Sequence, residues 1–302
     1  DALGSFAPSY PRVFMDEKKV RKILKEGNLH SRMKRYEASS KAFLMRRTPA
    51  IIRVDGKAFH TFTKDMEAPF DERFRNGMQQ TMLKMCQNIQ GCVFGYTQSD
   101  EISLVLTDYE TLTTDAWYDY SVQKMTSIAA SMATLYFAEA LRAEVDAYAI
   151  RLTAEQPALP SQFATERSNH PSGEMQGTNE YISRMRAKMF AALFDARAFS
   201  VPKEEVCNCM IWRQQDATRN SIQSVGQYYF TQSQLNRKSL SQIQEMLWTE
   251  AHVNWNDIRT EWKRGACCYR DDTDSSKAHF PWIVDKEPPI FTQNRNYIEQ
   301  WI

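Results

Sequence analysis

Four short apolar runs, rich in β-branched and aromatic residues, lie within the first two thirds of the chain, and each is typical of a β-strand. A longer stretch with hydrophobic residues at helical spacing separates the first run from the second, and another separates the third from the fourth. A short polar link, residues 97–101, joins the second run to the third and indicates a hairpin. The predicted strands span residues 50–54, 92–96, 102–106 and 194–201.

The resulting order β-α-β-β-α-β predicts an α+β fold of the ferredoxin-like, or split βαβ, type with helical extensions. In such a fold the first and third strands are central neighbours in an antiparallel sheet. We expect helices on one face of that sheet. The same core underlies polymerase palm domains, so the pattern also permits a polymerase-like activity.

Each predicted core helix has one hydrophobic face. Asp71 is a residue type that caps helices, and the first helix follows it. Gly91 is expected to end that helix. The second helix is predicted near residues 116–143. Both faces are predicted to be buried: the first comprises Phe74, Met78, Met82, Met85 and Ile89, and the second comprises Met125, Ile128, Met132 and Leu135.

The segments around this core give weaker signals. Residues 16–47 contain few helix breakers and predict a helix. Residues 150–180 are rich in Pro, Ser, Gly, Thr and Asn and predict a long loop. Residues 203–230 predict helices, and residues 264–285 predict a last strand or two.

These elements suggest three regions. Residues 1–14 are expected to be a disordered arm or an appended remnant. Residues 15–230 are expected to form a palm-like catalytic domain, and residues 231–302 a helical or mixed extension. A chain of 302 residues is long enough for one large domain with such an appendage.

The net charge of +1 conceals a strongly basic segment. Residues 16–47 contain eleven Lys and Arg against four Asp and Glu, which favours contact with a polyanion or, equally, a solvated helix face. No apolar run is long enough to span a bilayer. The six cysteines include no C-x-x-C pair, so a zinc site is not expected. We expect the cysteines to be free thiols and the protein to be cytoplasmic.

Two carboxylates are the candidate chemical centre. Asp55 closes the first strand, and Asp100 lies in the hairpin between the second and third strands. Because the first and third strands are neighbours, we expect the two residues to converge. Two carboxylates near a backbone carbonyl form an oxygen-only site suited to Mg²⁺. Each motif alone is also ordinary turn chemistry, so the pair carries the prediction.

The residues that follow Asp55 point the same way. Gly56 and Ala58 are small and allow backbone N–H groups to face a phosphate. Lys57 and His60 add charge, although His60 is equally compatible with a structural role. Phe59 is expected in the core.

Residues 52–60 and 95–103 closely resemble the tRNA-His guanylyltransferase family. The similarity continues through residues 124–131 and 212–222, and covers roughly residues 28–270. The resemblance implies a palm catalytic core, two Mg²⁺ ions and a homotetramer. It also implies that ATP or GTP activates a 5′-monophosphorylated tRNA, whose activated end is then attacked by the 3′-OH of an incoming NTP.

Site residues follow from the resemblance. Asp55, the Gly56 carbonyl and Asp100 resemble the metal ligands, and Glu101 resembles an essential neighbour of these catalytic residues. Asp71 resembles a base contact to the activating nucleotide. Other nucleotide contacts are implied at Lys57, Ala58, Phe59, His60, Ser99, Lys124 and Asn220. The basic segment contributes candidate RNA contacts at Arg32, Arg46 and Arg47.

The sequence departs from the family pattern in two places. Thr218 stands where eukaryotic members carry a histidine, and of that segment only Asn220 matches. This is typical of the Thg1-like branch, whose members resemble template-dependent 5′-end repair enzymes. Glu67-Ala68 stands before Pro69 in place of a frequent basic residue, which affects the expected contacts to the activating nucleotide.

The leading interpretation is template-directed 3′–5′ addition to the 5′ ends of tRNAs. One alternative is strict addition of a single G to tRNA-His. A nucleotide cyclase would share the palm and the carboxylates but would not need the basic segment. A non-catalytic RNA-binding module is disfavoured because unused carboxylates would only repel RNA.

Overall fold

The computed structural model describes residues 28–153, 178–271 and 281–302. The chain divides into two compact units, with the boundary between Ala42 and Phe43. The predicted arm at residues 1–14 and the predicted helical residues 16–27 lie outside the described part.

The second unit contains an antiparallel sheet in the strand order β4-β1-β3-β2-β5-β6. The first four strands keep the split βαβ order that the hydrophobic pattern predicts. The pairing of β5 with β2 extends the same sheet beyond residue 231. The strands are β1 Ala50–Gly56, β2 Cys92–Gln98, β3 Glu101–Leu106, β4 Phe194–Ser200, β5 Ala266–Arg270 and β6 Trp282–Asp285.

The helices follow the predicted order, with additions after β4. Two short 3₁₀ segments, Trp117–Tyr120 and Trp255–Asp257, supplement them. In the described chain the helices are α1 Leu29–Ala38, α2 Phe59–Phe62, α3 Glu72–Asn88, α4 Val122–Thr153, α5 Thr178–Lys188, α6 Lys203–Tyr229, α7 Gln232–Leu235, α8 Leu240–Thr249, α9 Thr260–Arg264 and α10 Asn296–Glu299. Within that same part, no helix has the length and apolarity that a bilayer crossing requires.

Helices cover both faces of the sheet, not one face as predicted. On β1, Ile52 and Val54 belong to the cluster that α3 and α4 complete, whereas Ile51 packs with Val206 and Met210 of α6. Alternate residues of the strand therefore enter two different cores. This explains why apolar residues follow one another without interruption from Ala50 to Ile52, before Arg53.

The helix predicted over residues 16–47 is wrong over its last part. In the described chain α1 begins after Asn28, whose side chain accepts from the Ser31 N–H, and it ends at Ala38. Ser39 Oγ donates to the Tyr36 carbonyl at 2.7 Å and competes with the next helical turn. The chain beyond residue 38 contains turns and an isolated β-bridge instead of helix.

The core helices confirm one predicted face and correct the other. The α3 face is buried from Met78 to Met85, and the Asp71 side chain caps the helix as predicted. On α4, Ile128 and Leu135 are exposed, contrary to prediction. The buried stripe instead contains every fourth residue, and two of these residues are alanines. It comprises Met125, Ala129, Ala133, Phe137, Leu141 and Val145.

The loop predicted over residues 150–180 is shorter at both ends. The α4 helix continues to Thr153, and α5 begins at Thr178. Residues 154–177, which carry most of the Pro, Ser and Gly of this prediction, lie outside the described part. All six cysteines are free thiols.

Candidate active site

The β2–β3 hairpin ends in a two-residue turn formed by Ser99 and Asp100. The strands pair as far as Gln98 and Glu101, so the five-residue polar link predicted from sequence is mostly strand. Ser99 adopts a left-handed backbone with φ of 48°, which a tight hairpin turn requires. Its hydroxyl donates to Asp100 Oδ1 at 2.9 Å, which fixes the carboxylate at the tip.

Asp55 and Asp100 converge at this hairpin tip. Asp55 is the register partner of Glu101, and the Gly56 N–H donates to the Asp100 carbonyl at 3.1 Å. Burial raises the pKa of the Asp100 carboxyl, the Ser99 hydrogen bond opposes that rise, and the Asp55 charge adds to it. The two carboxylates are therefore close enough to repel each other.

This pair is chemically suited to a hard cation. Its donors are the oxygens of Asp55, Asp100 and the Gly56 backbone, which is the ligand type that Mg²⁺ prefers. A cation would also relieve the mutual repulsion. Among residues 28–153, 178–271 and 281–302, no group of three or more His, Cys, Asp or Glu side chains could hold a metal. Mg²⁺ bound through one or two carboxylates usually takes its remaining ligands from water and substrate phosphates.

Glu101 adjoins this pair but is bound elsewhere. Its Oε1 accepts from Arg213 Nε at 2.7 Å, and both side chains are buried. Burial raises the pKa of the Glu101 carboxyl, and the Arg213 hydrogen bond and charge oppose that rise. Sequence reasoning assigned no role to Arg213. The available signal was a charged residue at helical spacing from Met210 and Ala217 on the buried face of α6.

The segment after Asp55 has a tightly determined shape. A Cβ added to Gly56 would lie 2.3 Å from the Phe59 ring, and Phe59 is packed in the core as predicted, so glycine is required. Ala58 has a left-handed backbone with φ of 55°. Lys57 and His60 are exposed. The Lys57 ammonium and the His60 imidazole face solvent, whereas Phe59 can offer a ligand only its backbone.

A pocket of about 300 Å³ lies next to Ser99. Asp71, Ser99 and Asn220, three of the residues predicted to contact nucleotide, line it together. They come from the α3 cap, the hairpin turn and α6. Topology thus gathers residues that are far apart in sequence, in a volume suited to a small ligand.

Within this pocket Asp71 is already fully hydrogen-bonded. Its carboxylate caps α3 by accepting from the N–H groups of Arg73 and Phe74, at 2.9 and 3.1 Å. The Glu67 N–H and the Tyr181 hydroxyl also donate to it, at 3.1 and 2.5 Å. A base contact through this carboxylate would have to replace one of these bonds.

Lys124 lies away from the carboxylates of its own chain. Phe194 is the register partner of Gly56, and its N–H donates to Thr134 Oγ1 at 3.3 Å, so Thr134 is level with the site. Lys124 precedes Thr134 by ten residues on α4, which is about 15 Å along the helix axis. The phosphate contact of Lys124 stays a prediction.

Two of the predicted RNA contacts have intramolecular partners. Arg46 donates to the buried Asp108 at 2.6 Å and to Asp119 at 2.8 Å. The Arg47 guanidinium donates to the carbonyls of residues 111 and 112. These contacts fix the loop before α4. Arg32 lies on α1, whose side chains are all exposed. The RNA-binding roles of all three arginines stay predictions.

The chain is similar to known proteins over most of its length. The family model described as Thg1, tRNAHis guanylyltransferase, matches residues 30–202. A solved bacterial tRNA(His) guanylyltransferase (Thg1)-like protein in complex with ATP is 36% identical, with a TM-score of 0.70, over 91% of this chain and 99% of that chain. A second structure of that description, in complex with GTP, is 33% identical with a TM-score of 0.64 over the same shares.

Sequence similarity extends to a eukaryotic relative. A probable tRNA(His) guanylyltransferase of Dictyostelium discoideum is 22% identical over 233 residues, which is 73% of this chain and 74% of that protein. The residues matched by the family model, 30–202, contain β1 to β4 and the hairpin tip.

Proposed function

Because the chain belongs to the tRNA-His guanylyltransferase family, a family of nucleotidyltransferases, we propose that it adds nucleotides to the 5′ end of tRNA in the 3′–5′ direction. The base opposite each missing nucleotide selects the one added. The observation that carries this proposal is the convergence of Asp55 and Asp100 at the hairpin tip, beside a pocket lined by Ser99 and Asn220.

The reaction has two displacements at phosphorus. In the first, the 5′-monophosphate of the RNA attacks the α-phosphorus of ATP or GTP, and pyrophosphate leaves. In the second, the 3′-OH of an incoming NTP attacks the activated 5′ phosphorus, and AMP or GMP leaves. The bound ATP and GTP of the bacterial Thg1-like structures support this use of nucleotides.

Asp55, Asp100 and the Gly56 carbonyl would hold Mg²⁺, two ions in all. When bound, the ions would activate the attacking oxygen and stabilise the leaving oxygen. Lys57, exposed directly after Gly56, places a positive charge where triphosphate oxygens would approach. The remaining work of the chain is alignment, because misplacement of about 1 Å can lower the rate about a hundredfold.

Thr218 supports template-directed addition over addition of a fixed G. It lies half-buried on α6, between the pocket residues Ala217 and Asn220. A short neutral side chain here offers no imidazole with which to recognise a particular nucleotide. Selectivity must then come from pairing with the opposite strand.

The proposal is tested with an internally labelled tRNA that lacks its first 5′ nucleotide, incubated with the protein, NTPs and Mg²⁺. We expect a product one nucleotide longer. Binding of this RNA without elongation would replace the proposal by a non-catalytic RNA-binding function.

Basic residues of α1 are expected to contact phosphates. Reversing Arg32 and Arg35 to Glu should weaken RNA binding and reduce the slope of log affinity against log salt by about two units, since each lost phosphate contact removes about 0.9. Filter binding at several salt concentrations measures the slope. These residues avoid the loop contacts made by Arg46 and Arg47.

A matched control is Arg142→Glu, the same change at an exposed position of α4 outside the basic segment. Its slope should equal that of the unaltered protein. Equal slopes for the control and the α1 variant would show that α1 is only a solvated helix.

We also propose that the chain forms a homotetramer, as the family resemblance implies. Light scattering coupled to size exclusion measures the mass directly, and four chains of 35.1 kDa are expected in each particle. A monomer or dimer that retains full activity would overturn this proposal.

A further inference from the structure

Glu101 occupies a position from which it could join the cation site. It is the register partner of Asp55, so the two side chains project from the same face of the sheet about 5 Å apart at their Cβ atoms. It also directly follows Asp100. A free carboxylate at this position would be a third oxygen ligand.

The Glu101 carboxylate is instead held on the side of the arginines. Arg213 Nε lies 2.7 Å from Oε1, and Arg53 Nε lies 3.9 Å from Oε2. The Ser103 hydroxyl adds a bond to Oε1 at 3.4 Å. The contact to Arg213 is the short one, and only 7% of Arg213 is exposed.

Arg213 is itself fixed in place from two sides. Its second donor binds Asp216 Oδ2 at 2.7 Å, one turn along α6. The guanidinium also lies against the Trp212 ring, with Cζ 4.5 Å from the ring centroid, and Arg53 approaches the same ring at 5.3 Å. The arginine therefore has little freedom to release Glu101.

Resting on the proposed function, we propose that Arg213 is a positioning residue that keeps the Glu101 carboxylate out of the cation site formed by Asp55, Gly56 and Asp100. A site with two carboxylates leaves coordination positions open for substrate phosphates. A third carboxylate would fill one of them and strengthen cation binding, at the expense of transfer to the substrate.

The first test is Mn²⁺ binding, measured by electron paramagnetic resonance without nucleotide or RNA. E101Q should bind Mn²⁺ with unchanged affinity, because Glu101 is not a ligand. D55N should weaken Mn²⁺ binding at least tenfold, an order of magnitude expected for a lost ligand. If E101Q weakens binding as much as D55N, Glu101 is a ligand and the proposal is overturned.

The second test releases Glu101. R213M, which preserves the volume of the side chain but removes its charge, should bind Mn²⁺ about tenfold more tightly while kcat for extension falls. The double variant R213M/E101Q should return to the affinity of the unaltered protein. Unchanged or weaker binding by a folded R213M would overturn the proposal. If R213M does not fold, R213Q replaces it with the same expected and contradicting results.

R219M is the matched control. Arg219 also binds Asp216 but is exposed and makes no contact with Glu101. Its Mn²⁺ affinity should be unchanged. Mn²⁺ binding that does not depend on Asp55 at all would contradict the proposed function, whereas Asp55-dependent binding that is indifferent to Arg213 would contradict only the positioning role.

Discussion

Replacing either Asp55 or Asp100 by alanine is expected to lower the rate of nucleotide addition about a thousandfold or more while leaving the fold intact. Both side chains lie at the end of the sheet and are only half-buried, and no hydrophobic packing depends on them. Burial is the main cause of the raised pKa of Asp100 and the Asp55 charge adds to it, so removing either carboxylate also relieves their mutual repulsion. Thermal stability should therefore be unchanged or slightly higher.

Single-turnover extension of a truncated tRNA measures the rate of nucleotide addition. Circular dichroism measures the melting temperature. Asp115→Ala is the matched control, since Asp115 is an exposed aspartate in the loop that follows β3 at the end of the sheet opposite the hairpin tip. It should retain nearly full activity. Turnover close to that of the unaltered protein in a folded Asp55 or Asp100 variant would eliminate the proposed cation site.

Asp71→Ala is expected to destabilise the protein by about 2–4 kcal/mol, because buried polar groups that lose an acceptor typically cost about 1–3 kcal/mol and a helix cap is lost as well. Arg73 is 6% exposed and keeps its ion pair with Glu67 at 2.8 Å, but its guanidinium and the buried Tyr181 hydroxyl lose the acceptor that they share. The lost α3 cap accounts for about 1 kcal/mol of this.

Urea unfolding measures this loss. Glu205→Ala provides the comparison, because Glu205 is an exposed carboxylate in the first turn of α6, and its removal should change stability by at most about 1 kcal/mol. A stable Asp71 variant with an altered preference between ATP and GTP would contradict the structural role and favour the base contact implied by family resemblance.

The first four strands of the sheet could be predicted from sequence because their apolar residues and the turn residues at their ends give two independent signals. Residues 50–54 are apolar apart from Arg53 and are followed by Asp55-Gly56, and the polar link between residues 92–96 and 102–106 identifies the hairpin. Strand order then follows from the split βαβ topology alone. The convergence of Asp55 and Asp100 is a consequence of that topology, so two residues 45 positions apart could be paired without a structure.

The features that sequence reasoning missed depend on contacts between distant elements. The Arg213–Glu101 pair joins α6 to β3. Helical spacing marks Arg213 as a residue of the buried face of α6, but it does not identify Glu101 as its partner. The buried face of α4 was predicted wrongly because the largest hydrophobic residues, Ile128 and Leu135, were assigned to it. The four-residue spacing of the alanines is the better signal for that face. The position of Lys124 depends on where α4 begins relative to the sheet, which local pattern does not determine.

In the proposed reaction, the base opposite the missing 5′ nucleotide selects the nucleotide that is added. The most direct test of this selection uses four tRNAs that lack the first 5′ nucleotide and differ only in the base opposite that position, each given all four NTPs and Mg²⁺. Sequencing of the product ends should show that the incorporated nucleotide complements the template base in every case. Thr218→His should shift the outcome toward G addition without a template. Addition of G regardless of the template base, or reaction of a tRNA-His substrate alone, would contradict template-directed addition and establish strict guanylyl transfer in its place.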